Sequence, residues 1–126
     1  LFDGVAKRDM MNRYNSIYLG KFGDMDIVGY KSQFSHMYGA EDCRSVFETV
    51  RGDGRHPGCE GEGVMVGNFI GTYLIGPFLV INPPFAKYLM RLAGEENPRL
   101  AFEEKAMEVY GKRVKEFKDP KTRVSF

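Results

Sequence analysis

At 126 residues, with 43% hydrophobic and 13% aromatic side chains, the chain has the material for one ordinary core and too little for two. Its 18 basic and 17 acidic residues are interleaved and leave a net charge of +1, so no field of one sign draws it to nucleic acid or to an anionic membrane. The longest apolar run, residues 69–81, is broken by Gly71, Thr72, Gly76 and Pro77 and is too short to span a bilayer.

The opening Leu1-Phe2-Asp3-Gly4 has neither the charged start nor the apolar centre of a secretory leader. A cytoplasmic protein is therefore expected, with Cys43 and Cys59 as free thiols. There is no initiator Met, and the first residues read as the exit of a buried element into a loop. The expectation is one domain over 1–126, or the C-terminal fragment of a larger one.

Taken along the chain, residues 14–19 and 25–30 alternate, are rich in β-branched and aromatic residues, and flank a turn at Gly20 to Asp24, which predicts a hairpin. Residues 32–38 and 45–50 are further strand candidates. Residues 51–63 hold five of the fifteen glycines and predict a loop that adds nothing to the core. Residues 64–66 and 69–74 read as strands, the second continuous enough in apolar character to lie at a sheet centre, covered on both faces. Asn82 is a candidate N-cap with Pro83 at the first helical position, opening a helix to Leu92 that buries Phe85, Tyr88, Leu89 and Leu92 and stops at Gly94. A second helix is expected from Asn97-Pro98 to Asp119-Pro120, with Glu104, Glu108, Lys112 and Lys115 on a solvated face, followed by a fraying tail over 121–126.

The stretch Gly67-Asn68-Phe69-Ile70-Gly71-Thr72-Tyr73-Leu74-Ile75-Gly76-Pro77, continued by Asn82-Pro83-Pro84-Phe85-Ala86, resembles the catalytic turn of the class I glutamine amidotransferases of the cobyric acid synthase and lipid II isoglutaminyl synthase type. In that family a strand ends in Gly-Thr-Tyr-Leu-His-Gly, and the histidine is the base that activates a cysteine nucleophile for release of ammonia from glutamine. Here the histidine position is Ile75, which has no lone pair and no titratable proton. A second family landmark, a strand of the form Gly-Tyr/Phe-Glu-x-His, reads Gly29-Tyr30-Lys31-Ser32-Gln33, with Lys31 replacing an acid and Gln33 standing at the histidine position. The resemblance runs from about Val28 to Leu92.

What the resemblance implies is an α/β fold: a mixed β-sheet with a β-hairpin-rich N-terminal part and two C-terminal helices, like the C-terminal half of a flavodoxin-like class I glutamine amidotransferase domain. It also implies a binding turn shaped by Gly71, Thr72, Tyr73 and Gly76, with Gln33 as a polar contact. Glutamine would be the substrate if the protein were active. The partners would be an ATP-dependent ligase-type domain or subunit and the missing N-terminal half, with self-association through an uncovered sheet edge also expected. No cofactor is implied.

Other constellations weigh less. The family's Gly-x-Cys-x-Gly elbow has no counterpart, since Cys59 follows Gly58 directly inside a glycine-rich run with no buried strand leading into it. His36, Cys43, His56 and Cys59 are the only soft metal ligands, and only His56-x-x-Cys59 has usable spacing, so no zinc site is assigned. The carboxylates Glu60, Glu62, Glu95 and Glu96 lie on flexible segments and are expected to be solvated. Two functions follow: the C-terminal part of an amidotransferase-like protein, degenerate at Ile75, or a non-catalytic interaction or regulatory module of the same fold.

Overall fold

In the computed structural model, which describes residues 1–126, a long antiparallel hairpin organises the chain. We number the strands β1 (Val5–Arg8), β2 (Tyr14–Phe22), β3 (Met25–Gln33), β4 (Ser35–Tyr38), β5 (Phe47–Arg51), β6 (Gly61–Glu62), β7 (Val64–Val66) and β8 (Phe69–Gly71), and the helices α1 (Phe78–Ile81), α2 (Pro83–Leu92) and α3 (Glu103–Lys118). The hairpin is β2 with β3, in unbroken register from Tyr14↔Gln33 to Phe22↔Met25. Gly23 opens its two-residue turn at φ 57°, a conformation that glycine adopts without the clash a Cβ would cause. On the other side of β2, β5 pairs antiparallel with a register shift between Leu19 and Gly20, and β6 pairs with β5. The sheet order is β3-β2-β5-β6, while β1 with β4 and β7 with β8 form separate two-stranded ribbons.

The period-2 alternation of β2 sorts its side chains onto two cores. Tyr18 joins Ile27, Val46, Phe47, Leu74 and Phe85, with Phe22, Phe78 and Tyr88 packed around them; ring centroids of Phe22, Phe47, Phe78 and Phe85 lie 5.3–6.2 Å apart in tilted and edge-on pairs. Ile17 and Leu19 point the other way, to Val28 and to Phe117 of α3. The apolar residues of α2 and α3 thus cover opposite faces of the hairpin.

Several expectations are overturned here. Every strand pair is antiparallel, so the mixed sheet of a flavodoxin-like half-domain is not what this chain forms. The segment expected at the sheet centre is strand only over Phe69–Gly71 and pairs with β7 alone; its apolar character comes from single residues, Leu74 above all, that reach the core from an irregular segment. The helices number three, because Phe78–Ile81 makes one turn ahead of α2, and α3 begins at Glu103, several residues after Pro98. Leu92 is exposed, whereas Phe85, Tyr88 and Leu89 face the core as the pattern predicts. The glycine-rich loop does enter the interior: Gly54, Arg55 and Glu62 are all buried.

The C-terminal tail docks where fraying was expected. Ser125 bridges to Ser16, Ile17 N–H donates to Val124 O, and Phe126 N–H donates to Asn15 O. Arg51 fixes the approach to this tail. Its guanidinium donates to the carbonyls of Phe117 and Asp119 at 2.5 and 2.7 Å and to that of Thr122 at 2.8 Å, so one planar fork satisfies the end of α3 and the turn after it.

Candidate functional site

The site to which the sequence points lies along the free edge of β3. An edge strand leaves alternate N–H and C=O groups unpaired, and here three other segments take them. Tyr110 of α3 donates its hydroxyl to Asp26 O at 2.8 Å. Asn82 accepts from Val28 N–H at 2.9 Å and donates to Val28 O at 2.7 Å, with a further bond to Phe78 O at 2.8 Å. Ile75 N–H donates to Tyr30 O at 3.0 Å as a one-residue antiparallel bridge. The chain itself thus takes Asp26 O, both main-chain groups of Val28 and Tyr30 O along this edge.

Asn82 stands directly before α2, and its carbonyl accepts from Ala86 N–H, as a helix start requires. Its side chain makes no cap bond, because both ends of the amide are taken by β3 and α1. Ile75 is 45% exposed and lies between buried Leu74 and the Gly76–Pro77 peptide, which is cis. It presents hydrocarbon to solvent where the resemblance places a base.

Below this edge is an arrangement that sequence reasoning missed. Lys31 of β3 and Glu62 of β6 form an ion pair at 2.5 Å, and both side chains are fully excluded from solvent. Glu62 Oε1 accepts from Thr72 Oγ1 and from Tyr73 N–H, each at 2.8 Å, while Lys31 Nζ donates to Gly54 O at 2.5 Å. The Thr72 hydroxyl oxygen also accepts from Leu74 N–H at 3.1 Å. Thr72 and Tyr73, expected to line a substrate turn, are thus joined to a buried carboxylate. Glu62 corrects the expectation of solvated carboxylates, and Glu60, two residues earlier, remains exposed. Burial lowers the pKa of Lys31 more than the Glu62 charge and hydrogen bond raise it.

Gln33 is buried, and its amide donates to the carbonyls of Ser35 and Arg55 at 2.9 and 3.2 Å. Gly71 ends β8, and its carbonyl lies so close to Gly63 (φ 67°) that a Cβ there would approach it to 2.5 Å. Gly76 sits on the exposed turn beside Ile75.

The soft ligands do not converge, and no three His, Cys, Asp or Glu side chains stand together as metal ligands would. His36 is buried with Nε2 3.0 Å from Asn12 O, and His56 stacks on Tyr38 with ring centroids 4.5 Å apart. Both cysteines are free. The Cys59 thiol donates to Gly61 O and is approached by the Arg55 guanidinium, which places it in a local loop bond with no histidine partner.

Four tyrosines respond to this interior. Burial raises Tyr14 to about 12, with the Asp53 charge adding to the effect, and also raises Tyr18, Tyr73 and Tyr110. The folded chain then keeps phenolic protons that the unfolded chain releases near its ordinary value of 10.0. Their contribution to stability is complete below that value and is lost as pH rises through the folded-state values. An ultraviolet titration should show these phenols ionising late and together with loss of structure; ionisation of all seven tyrosines in one step near pH 10 with the fold intact would contradict it.

Compared with known protein families and with curated proteins, the chain matches none of them. No helix is long and apolar enough to cross a membrane.

Proposed function

We propose that the chain is a non-catalytic interaction module that works beside an ATP-dependent ligase-type domain or subunit, with a turn from Gly71 to Gly76 that resembles the amidotransferase turn in sequence, on an antiparallel sheet. The observation that supports this reading most directly is the chemistry at position 75. Ile75, half-exposed and held to Tyr30 by its backbone, is the residue that the sequence resemblance aligns with the amidotransferase base. It offers no lone pair to a thiol. The other departures fit the same reading, since Lys31 and Gln33 have become interior residues bonded to Glu62 and to backbone carbonyls.

The surface that follows the turn suits docking. Ile75, Leu79 and Val80 are exposed hydrocarbon in sequence order, Val80 at 72%. Leu79 and Val80 continue into an apolar groove of about 250 Å³ with Pro83, Ala86, Leu100 and Ala106. Exposed hydrocarbon leading into an apolar groove serves a protein contact better than it serves a polar substrate.

The test is ammonia release from glutamine, with and without a cysteine-directed inhibitor, by the chain and by its Ile75→His variant. Neither should release ammonia above the blank. Inhibitor-sensitive release by the chain, or a large gain on introducing histidine, would overturn the proposal.

A further inference from the structure

Lys31 Nζ lies 2.5 Å from Glu62 Oε2 in an interior with no solvent access to either side chain. The two oxygens of Glu62 are in unlike situations. Oε1 is gripped by the Thr72 hydroxyl and the Tyr73 N–H, whereas Oε2 has only the Lys31 amine against it. Gly54 O, 2.5 Å from Nζ, steers the nitrogen, and the rings of Tyr14 and Tyr73 stand 5.8 and 6.0 Å from it. An amine is thus held against a carboxyl group whose other oxygen already carries two donors.

We propose that Lys31 and Glu62 condense into an intramolecular isopeptide bond, which joins β3 to β6 across the face of the sheet. These are the two outer strands of the four-stranded sheet, so the cross-link closes it side to side. The ionised pair is the form that burial disfavours, and passing one proton from Nζ to Oε2 leaves a neutral amine beside a neutral acid. The amine lone pair attacks Cδ, and the charge that develops on Oε1 is received by Thr72 Oγ1–H and Tyr73 N–H, as in an oxyanion hole. A second Nζ proton passes to Oε2, the Cδ–Oε2 bond breaks, and Oε2 leaves as water. Of the three ammonium protons two depart in that water and one stays on the amide nitrogen. No electrons change hands, and no co-reactant is needed.

Fixed geometry supplies the drive that a dilute amine and acid lack in water. Effective molarities of well-oriented intramolecular pairs reach about 10⁵–10⁸ M. Exclusion of bulk water then protects the amide from hydrolysis. The cross-link goes beyond the functional reading above, which uses Lys31 only as an interior residue that is not an acid, so either can fail without the other.

The test is the intact mass, under denaturing conditions, of the full chain after it has been purified and held folded, with the fold verified by circular dichroism. The chain should weigh one water less than its sequence, and digestion should yield a branched peptide joining the Lys31 and Glu62 segments. Glu62→Gln should lose ammonia in place of water, and Lys31→Met should weigh its full sequence mass. Thr72→Val, lacking one oxyanion donor, should form the bond about 10²-fold more slowly. A folded wild-type chain at its full sequence mass would overturn the proposal, as would a Lys31→Met chain that is still one water short.

Discussion

Relative to the wild-type chain before the cross-link forms, replacing Glu62 by Ala should destabilise the fold by roughly 3–5 kcal/mol, the range found when one partner of a buried pair is removed. The loss has two parts. Lys31 is left in the interior with its charge uncompensated except by Gly54 O, and the Thr72 hydroxyl and the Tyr73 N–H lose their acceptor. Against a total stability of about 5–15 kcal/mol for an ordinary domain, this removes a large share of the margin. Glu62→Gln keeps an oxygen for Thr72 and Tyr73 and should cost less. The double variant Lys31→Met with Glu62→Met should recover only the part of the loss that comes from the unpaired Lys31 charge, because the Thr72 hydroxyl and the Tyr73 N–H still lack their acceptor. Urea unfolding of these proteins, with Lys31→Met and Glu62→Met alone added to close the double-mutant cycle, measures the coupling. A shift of under about 1 kcal/mol for Glu62→Ala would mean that the pair is hydrated in solution and contributes no more than a surface pair does.

The parts of the fold that were legible in the sequence are those set by neighbours along the chain. The β2–β3 hairpin follows from alternation on either side of Gly23, β7 from its short β-branched run, and the body of α2 from Pro83, the spacing of Phe85, Tyr88 and Leu89, and Gly94. What the sequence hid depends on partners far along it. Glu62 lies between two glycines and has the local signature of a solvated loop acid; only Lys31, Thr72 and Tyr73, brought in from two other segments, make it an interior residue. The tail was hidden for the same reason, since its polar residues dock through backbone bonds to Asn15 and Ile17, which no side-chain pattern records. Residues 69–74 misled through composition: six mostly apolar residues in a row fit a covered strand, yet Thr72 turns the backbone toward Glu62 and ends the ladder at Gly71. At the candidate site, Ile75 and Asn82 could be singled out by position, but the edge of β3 that both of them close could not. One signal was available: the three positions at which the sequence differs from the turn and strand it resembles, 31, 33 and 75, fall on or against one strand.

The expected result at Asn82 separates a helix cap from an edge cover. Asp and Ser are as good as Asn at an N-cap, so a conventional cap would tolerate Asn82→Asp or Asn82→Ser within a few tenths of a kcal/mol. Here the side chain serves Val28 N–H, Val28 O and Phe78 O at 2.9, 2.7 and 2.8 Å, and the residue is wholly buried. Asn82→Ala should therefore cost about 2–4 kcal/mol, since it leaves both main-chain groups of Val28 without partners in the interior. Asn82→Asp should cost at least as much at neutral pH. It keeps an acceptor for Val28 N–H but sets a carboxylate oxygen against the carbonyls of Val28 and Phe78 in place of an N–H donor. Protonating that carboxyl restores one donor, so the Asp variant alone should gain on the wild type as pH is lowered. Hydrogen exchange gives a second, local readout: the Val28 amide should lose protection in the Ala variant and keep it in the Asp variant. Should Asn82→Asp prove neutral at pH 7, the amide does not bind β3, and the segment from Ile75 to α2 has to be held to the sheet by the Ile75–Tyr30 bridge and its apolar contacts alone.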